Sequence, residues 1–219
     1  MNSRSSSPEN DVFALGIVPE RQNKAAGTTS TDFDGLLPKP LLLHEDLKEG
    51  CGGQLWPAGV TLAKYMLTYH RDLRSKSILE IGAGGGLVGL AVASGCLVDN
   101  DKKLLVTDQI PMLSLMQKNV ALNALDAKSG ADSSHCPDVV LAADCVYFEP
   151  AFPLLLQTLQ DLIGPSTVCY FCFKKRRKAD MRFIRDMNKT FKVEEVEYDD
   201  RDQDRQASVF LHKLTARDV

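Results

Sequence analysis

Five glycines fall within the eight residues Gly82 to Gly89, directly after the mostly apolar stretch SILEI at 77–81. Glycine has no Cβ and loses more freedom on ordering than any other residue. A cluster this dense therefore marks a tight turn or a close approach of the backbone to another group. A helical pattern resumes from Leu87 to Ser94, which makes a strand–glycine–helix unit. In an α/β sheet such a unit presents unpaired helix amides at the carboxyl end of a strand, where a nucleotide can sit. The same pattern without a ligand is a tight turn that packs the helix on the strand.

The remaining pattern extends this unit into a sheet. Val60, Leu62, Ala63, Met66 and Leu67 follow Pro57 at helical spacing, which predicts a helix over Pro57–Tyr69. Apolar strands are expected at Lys103–Asp108, Asp138–Ala143 and Thr167–Phe173, with helices at Gln109–Leu125, Phe152–Ile163 and Ala179–Phe191. Near-continuous apolar strands alternating with helices predict a parallel sheet covered on both faces. The last two strands, Lys192–Tyr198 and Ala207–Leu214, are separated only by the charged turn Asp199–Arg205. They should pair antiparallel at one end of the sheet. Residues 1–35 are polar and aperiodic apart from the short apolar run Val12–Val18, and read as a tail. One domain is expected over 36–214, followed by a short tail over 215–219.

Composition removes other classes. A chain of 219 residues with 44% hydrophobic and 25% charged residues suits one domain with a full core. A net charge of −3 gives no bulk attraction to nucleic acid or membrane. No apolar run approaches the roughly 20 residues that span a bilayer, and Met1 to Ser5 lacks the apolar region of a secretory signal. A soluble cytoplasmic monomer is expected. Cys169 and Cys172 form a C-x-x-C pair inside an expected strand, so their thiols should point to opposite faces and share no metal. His44, His70, His135 and His212 are isolated, and no metal site is expected.

Two glycine registers are present. Gly84, Gly86 and Gly89 fit a dinucleotide fingerprint, and Gly82, Gly84 and Gly86 fit the looser loop of S-adenosylmethionine enzymes. Asp108 ends the second strand, placed to accept bonds from ribose hydroxyls in either case. Glu80, just before the loop, would face a pyrophosphate unfavourably, yet it suits the cationic amino and sulfonium groups of S-adenosylmethionine. The balance favours the methyl donor over a dinucleotide.

At this point the residues reach a resemblance. ILEIGAGGGLVGL (78–90), LLVTD (104–108) and DVVLAADCVYFEP (138–150) resemble motif I, the following acidic residue and a later strand of the seven-β-strand methyltransferases. GGQLWPAG (52–59), with the D-x-x-Y of Asp144 and Tyr147, resembles the family-16 protein-lysine methyltransferases. EGCGGQLWPAG and FKKRRKADMRF (173–183) are similar to the fungal branch that methylates translation elongation factor 1-alpha. The resemblance implies a Rossmann-like seven-stranded sheet, S-adenosyl-L-methionine as cofactor and a protein substrate, elongation factor 1-alpha. It implies cofactor contacts at Trp56, Gly82, Ala83, Gly84, Asp108 and Ala143. Family members carry a further strand, with a tryptophan, between the helix ending near Leu125 and the strand at Asp138. Here the twelve polar residues 126–137 show no strand pattern and no tryptophan, so one strand is expected to be missing.

Asp144 and Tyr147 follow the Asp138–Ala143 strand at its carboxyl end. Asp144 could attract and orient an incoming lysine, and Tyr147 could narrow the channel. The counterpart without function is a capping Asp and a packed Tyr. The basic run Lys174 to Lys178 suits an acidic protein face, RNA, an import signal or simply a solvated loop. The rivals to a lysine methyltransferase are a dinucleotide-dependent oxidoreductase and an inactive scaffold of the same fold.

Overall fold

The computed structural model describes residues 25–99, 104–126 and 136–217. An N-terminal hairpin comes first, β1 (Gly27–Thr31) paired antiparallel with β2 (Leu41–Glu45). Then follow α1 (Pro57–Tyr69), β3 (Ile78–Ile81), α2 (Leu87–Gly95), β4 (Leu104–Val106), α3 (Leu113–Leu122) and β5 (Val139–Ala143). The chain continues through α4 (Phe152–Leu162), β6 (Val168–Lys174), α5 (Lys178–Thr190), β7 (Phe191–Glu195), α6 (Arg201–Gln206) and β8 (Val209–Ala216).

The main sheet has the order β4-β3-β5-β6-β8-β7. β4, β3, β5 and β6 run parallel, while β8 is antiparallel to both β6 and β7. The expected antiparallel end is therefore present, and the charged turn before β8 folds into the short helix α6. The described residues hold six strands of this sheet rather than seven. Most of the segment where a strand was expected to be missing, 127–135, lies outside the described residues, as does Val12–Val18.

The period of two in the strands sorts the core onto two faces. Leu141, Tyr170 and Cys172 pack with Ala58, Leu62 and Met66 of α1 and Val88 and Val92 of α2. Val140, Ala142, Cys169, Phe171 and Phe173 pack with Leu159 of α4 and Phe183, Ile184 and Met187 of α5. Cys169 and Cys172 thus face opposite sides of the sheet, as their spacing requires. Each buried side chain of this kind stabilises the fold by about 1.5–3 kcal/mol.

Part of the stretch 1–35, expected to be a tail from its polar composition, holds a strand. β1 consists of GTTST, whose β-branched threonines suit a half-buried strand. Phe33, after it, is 2% exposed and packs with Leu37, Leu41 and Leu43 against Leu67, Leu87 and Leu90. Asn119 of α3 and Asn123, which follows its last residue, hold the other edge of the hairpin. Asn123 accepts from the Leu42 N–H and donates to its carbonyl, both at 2.8 Å, and Asn119 accepts from the His44 N–H at 2.7 Å. These side-chain amides do for β2 what a neighbouring strand would do.

Candidate active site

The carboxyl ends of β3, β4 and β5 meet at one edge of the sheet, and the loops that leave them build the site. After Ile81 the chain turns through Gly82 (φ 59°), Gly84 (φ 55°) and Gly86 (φ 87°), all in the left-handed region. A Cβ on Gly82 would lie 2.7 Å from Cys145 Sγ, and one on Gly84 would lie 2.5 Å from the Gly52 carbonyl oxygen. The glycine loop is therefore clasped between the turn after β5 and the segment that carries GGQLWPAG. Glycine at both positions is what lets three chain segments touch.

Asp108 lies two residues beyond β4. Its Oδ2 accepts from the Gly84 N–H and its Oδ1 from the Gln109 N–H, both at 2.6 Å. Burial pushes this carboxyl above its ordinary range, against those two bonds. Among the described residues, each oxygen keeps a further lone pair for another donor. Ala83 donates its N–H to the Thr107 carbonyl at 3.1 Å, which ties the loop to the end of β4.

Glu80, expected beside a cationic ligand, lies at the joint of β3 and α2. It is 2% exposed, and its Oε2 accepts from the Gly89 N–H at 2.7 Å in the first turn of α2. Burial pushes its carboxyl up to about 8, opposed by bonds from the Gly89 and Val88 amides. Strand alternation points Glu80 behind the loop, into the joint between β3 and α2. There it satisfies helix amides that α2 leaves unpaired at its start.

The third wall comes from β5. Ala143 ends the strand half-buried, and Asp144 follows at φ 55° with its N–H bonded to the Cys172 carbonyl at 2.8 Å. The Asp144 carboxylate is buried and forms a two-pronged ion pair with Arg176, Oδ1 with Nη1 at 2.9 Å and Oδ2 with Nη2 at 3.0 Å. Oδ1 also accepts from the Lys174 N–H at 3.0 Å. The Arg176 guanidinium lies 5.1 Å from the centre of the Trp56 ring, a cation–π contact. Trp56 itself donates its ring N–H to the Cys51 carbonyl at 2.9 Å and stands immediately before α1. Tyr147 is half-buried, and its carbonyl accepts from Arg177 at 2.7 Å.

The structure thus brings Gly82, Ala83, Gly84, Asp108, Ala143 and Asp144 to one sheet edge and sets Trp56 against Asp144 through Arg176. Glu80 stands behind the loop. The basic run divides. Arg176 turns inward, while Arg177 bonds Tyr147 and pairs with Asp180, which is fully buried and caps α5 through the Arg176 and Arg177 amides. The solvated-loop reading of Lys174–Lys178 fails at these two positions. A signal was available: the run begins at the carboxyl end of a parallel strand, the edge where sites form.

This edge is suited to group transfer from a nucleotide-like ligand to a basic side chain. It offers backbone amides and a carboxylate on one side, and a charged pair under an indole on the other. Residues 36–190 match the model of a lysine methyltransferase family. The chain belongs to this lysine methyltransferase family. Among its relatives, the protein-lysine N-methyltransferase EFM6 of Saccharomyces cerevisiae is 36% identical over 82% of this chain and 87% of its own length. Protein N-lysine methyltransferase METTL21A of Danio rerio is 34% identical over 72% of this chain and 77% of its own. EEF1A lysine methyltransferase 3 of Mus musculus is also 34% identical, over 78% and 75%.

The solved structures bear on the fold alone. The 16S rRNA N2 G1207 methyltransferase RsmC of T. thermophilus, in complex with AdoMet and guanosine, is similar with a TM-score of 0.56 at 13% identity. The similarity covers 95% of this chain and 63% of that one. Methyltransferase-like topology and membership of the lysine methyltransferase family together set aside the oxidoreductase alternative. Among the described residues, no helix is long and apolar enough to cross a membrane.

Proposed function

We propose that this chain transfers a methyl group from S-adenosyl-L-methionine to a lysine ε-amine of translation elongation factor 1-alpha. The observation that carries the reading is the convergence of the glycine loop, Asp108 and the Asp144–Tyr147 turn on one sheet edge, in a chain of the lysine methyltransferase family. The target is supported by the name of the mouse relative, which acts on EEF1A.

The donor set fits the cofactor. Asp108 has open acceptor positions for ribose hydroxyls beside a loop of left-handed glycines, and Trp56 offers a flat apolar face nearby. Gly82, Ala83, Gly84 and Ala143 would line its seat. When bound, S-adenosylmethionine supplies a methyl group on a positively charged sulfur, which keeps the electron pair of the broken S–C bond. The chain must then deliver a neutral amine in line with that methyl. A lysine of pKa about 10.4 is mostly protonated at pH 7, so freeing its lone pair costs roughly 4–5 kcal/mol. Burial of the amine at this edge lowers that cost, and alignment by Asp144, in a channel that Tyr147 narrows, supplies much of the rest. The proton leaves to solvent. Nothing in this step requires a nucleophilic side chain or a metal.

In this reading the protein works as a cytoplasmic monomer without direct contact to nucleic acid. The net charge of −3 and the inward turn of Arg176 support the absence of nucleic-acid contact. The test is incubation of the chain with purified elongation factor 1-alpha and labelled methyl donor, then mass spectrometry of the labelled peptide. A methylated lysine formed by the wild type and strongly reduced with Asp144→Ala supports the reading. Label on a different protein in cell extract, with none on elongation factor 1-alpha, removes the target. No transfer to any protein returns the chain to an inactive scaffold.

A further inference from the structure

Asp144 is placed at the lysine site by the reading above, on which this inference rests, but the structure does not show a free carboxylate there. Its acceptor positions can be counted. A carboxylate has about four lone-pair sites, two on each oxygen. Oδ1 uses both, one for the Lys174 N–H and one for Arg176 Nη1. Oδ2 accepts from Arg176 Nη2, and among the described residues it keeps one site open. We propose that Arg176 is a positioning residue that stays on Asp144 during turnover, cancels its charge and leaves one acceptor site for the ε-amine of the substrate.

Two competing outcomes decide whether Arg176 stays. A substrate ammonium could displace it, or an amine could join the existing pair. Displacement would strand a guanidinium that is itself mostly buried, with a side-chain exposure of 16%. That group is also held by the Lys174 carbonyl at 3.2 Å and by the Trp56 face. Uncoupling one member of a buried ion pair is strongly unfavourable, because the remaining charge has no solvent to replace its partner. Joining the pair strands nothing, so the amine adds to it.

The consequence is electrostatic. A lone carboxylate within 4–6 Å would favour the ammonium form and raise the amine pKa by about 1–3 units, which opposes an attack that needs the lone pair. A neutralised pair holds the amine by a single hydrogen bond and does not oppose loss of its proton. The other titratable and charged groups around the pair are few. On β6 they are Lys174 and Cys172, and at the start of α5 they are the cap Arg177 and Asp180, which pair with each other. In the turn after β5 they are Cys145 and Tyr147, and across Cys145 lie Asp108 and Glu80. Burial holds both thiols well above their ordinary range, so they stay neutral. On the α1 side the pair meets the uncharged Trp56.

The first test uses n-butylammonium as a lysine side-chain probe at pH 7, titrated into the full chain and followed by backbone amide shifts. Arg176→Gln should bind it at least fivefold more tightly than wild type, because the carboxylate is unmasked. Equal or weaker binding overturns the proposal. If circular dichroism shows Arg176→Gln unfolded, Arg176→Lys decides. A retained positive charge should leave binding near the wild-type level, and tightening there overturns the proposal.

The second test is the pH profile of kcat with the protein substrate. The ascending limb should move up by about one pH unit or more in Arg176→Gln, with kcat reduced at neutral pH, KM unchanged or lowered, and recovery toward wild type at high pH. Arg176→Lys should restore the position of the limb. A uniform loss at every pH means that Arg176 only supports the fold. Asp144→Asn separates the two levels. If it retains wild-type kcat and KM, the placement of Asp144 at the lysine site fails. If Asp144→Asn is impaired while the Arg176→Gln profile coincides with wild type, only the role given to Arg176 fails.

Discussion

The side-chain amide of Asn119 donates to the carbonyl of Gly85 at 2.9 Å, from a residue that is 1% exposed. The same side chain accepts from the His44 N–H, so one asparagine couples the N-terminal hairpin to the glycine loop. Replacement by Ala would remove the partner of the part-buried His44 N–H and Gly85 carbonyl, at a cost of about 1 kcal/mol or more. Asn119→Ala should lower the melting temperature and weaken S-adenosylhomocysteine binding several-fold by calorimetry. Asn123→Ala frees the hairpin edge at Leu42 and the Asn119 carbonyl but no group of the glycine loop, and should destabilise the protein with little change in that affinity.

Asp108 holds the loop through Gly84 and offers its remaining lone pairs to a ligand. Asp108→Asn keeps the size but removes the charge and half of the acceptor capacity. Hydrogen bonds to charged groups contribute about 1.5–3 kcal/mol, so the Kd for S-adenosylhomocysteine should rise about tenfold or more. Isothermal titration at fixed pH measures it. An unchanged Kd would place the ribose elsewhere.

Glu80 carries a pH signature. Its carboxyl titrates near 4.5 in an unfolded chain and is pushed up to about 8 by burial in the folded one. Between those values the native state holds a proton that the unfolded state has released. Stability is therefore lost as pH rises through this window, by up to about 1.4 kcal/mol per unit. Below the window the loss is absent, and above about 8 it is complete. Glu80→Gln removes the titration and can still accept the Gly89 N–H. Urea denaturation at pH 5, 6.5 and 8 should show the variant gaining on the wild type at each step.

Trp56 is the only tryptophan in the chain, and it lies against Arg176 at the candidate site. Intrinsic fluorescence excited at the indole therefore reports this one position. Adding S-adenosylhomocysteine should change its intensity or emission maximum in a saturable way. The Asp108→Asn variant should need a correspondingly higher concentration for the same change.

Most of the architecture could be read from the chain because its strands are short, apolar and separated by clear breaks. The glycine loop, the strand at Val139–Ala143 and the antiparallel pair of β7 with β8 all follow from periodicity and turn residues. β1 did not stand out, since a half-buried run of threonines has the composition of a tail, and its pairing with β2 depends on tertiary contacts. The bond of Glu80 to the Gly89 amide was not legible, because position along a strand shows which edge a residue is near, while its face depends on register. Arg176 was hidden inside a run of like charges. Only the closing of β6 and α5 around Asp180 turns that one guanidinium toward Asp144.

β8 lies between β6 and β7, although it follows both in the chain. When a ribosome has produced everything up to Gln206, β6 and β7 both exist, yet neither has the neighbour that joins them. The parallel half, with its glycine loop, can form earlier on the nascent chain. The far wall, where α5 leans on β7, must wait for Val209–Ala216 to emerge and thread into the gap. Loss of those eight residues would thus split the sheet down its interior rather than trim its margin.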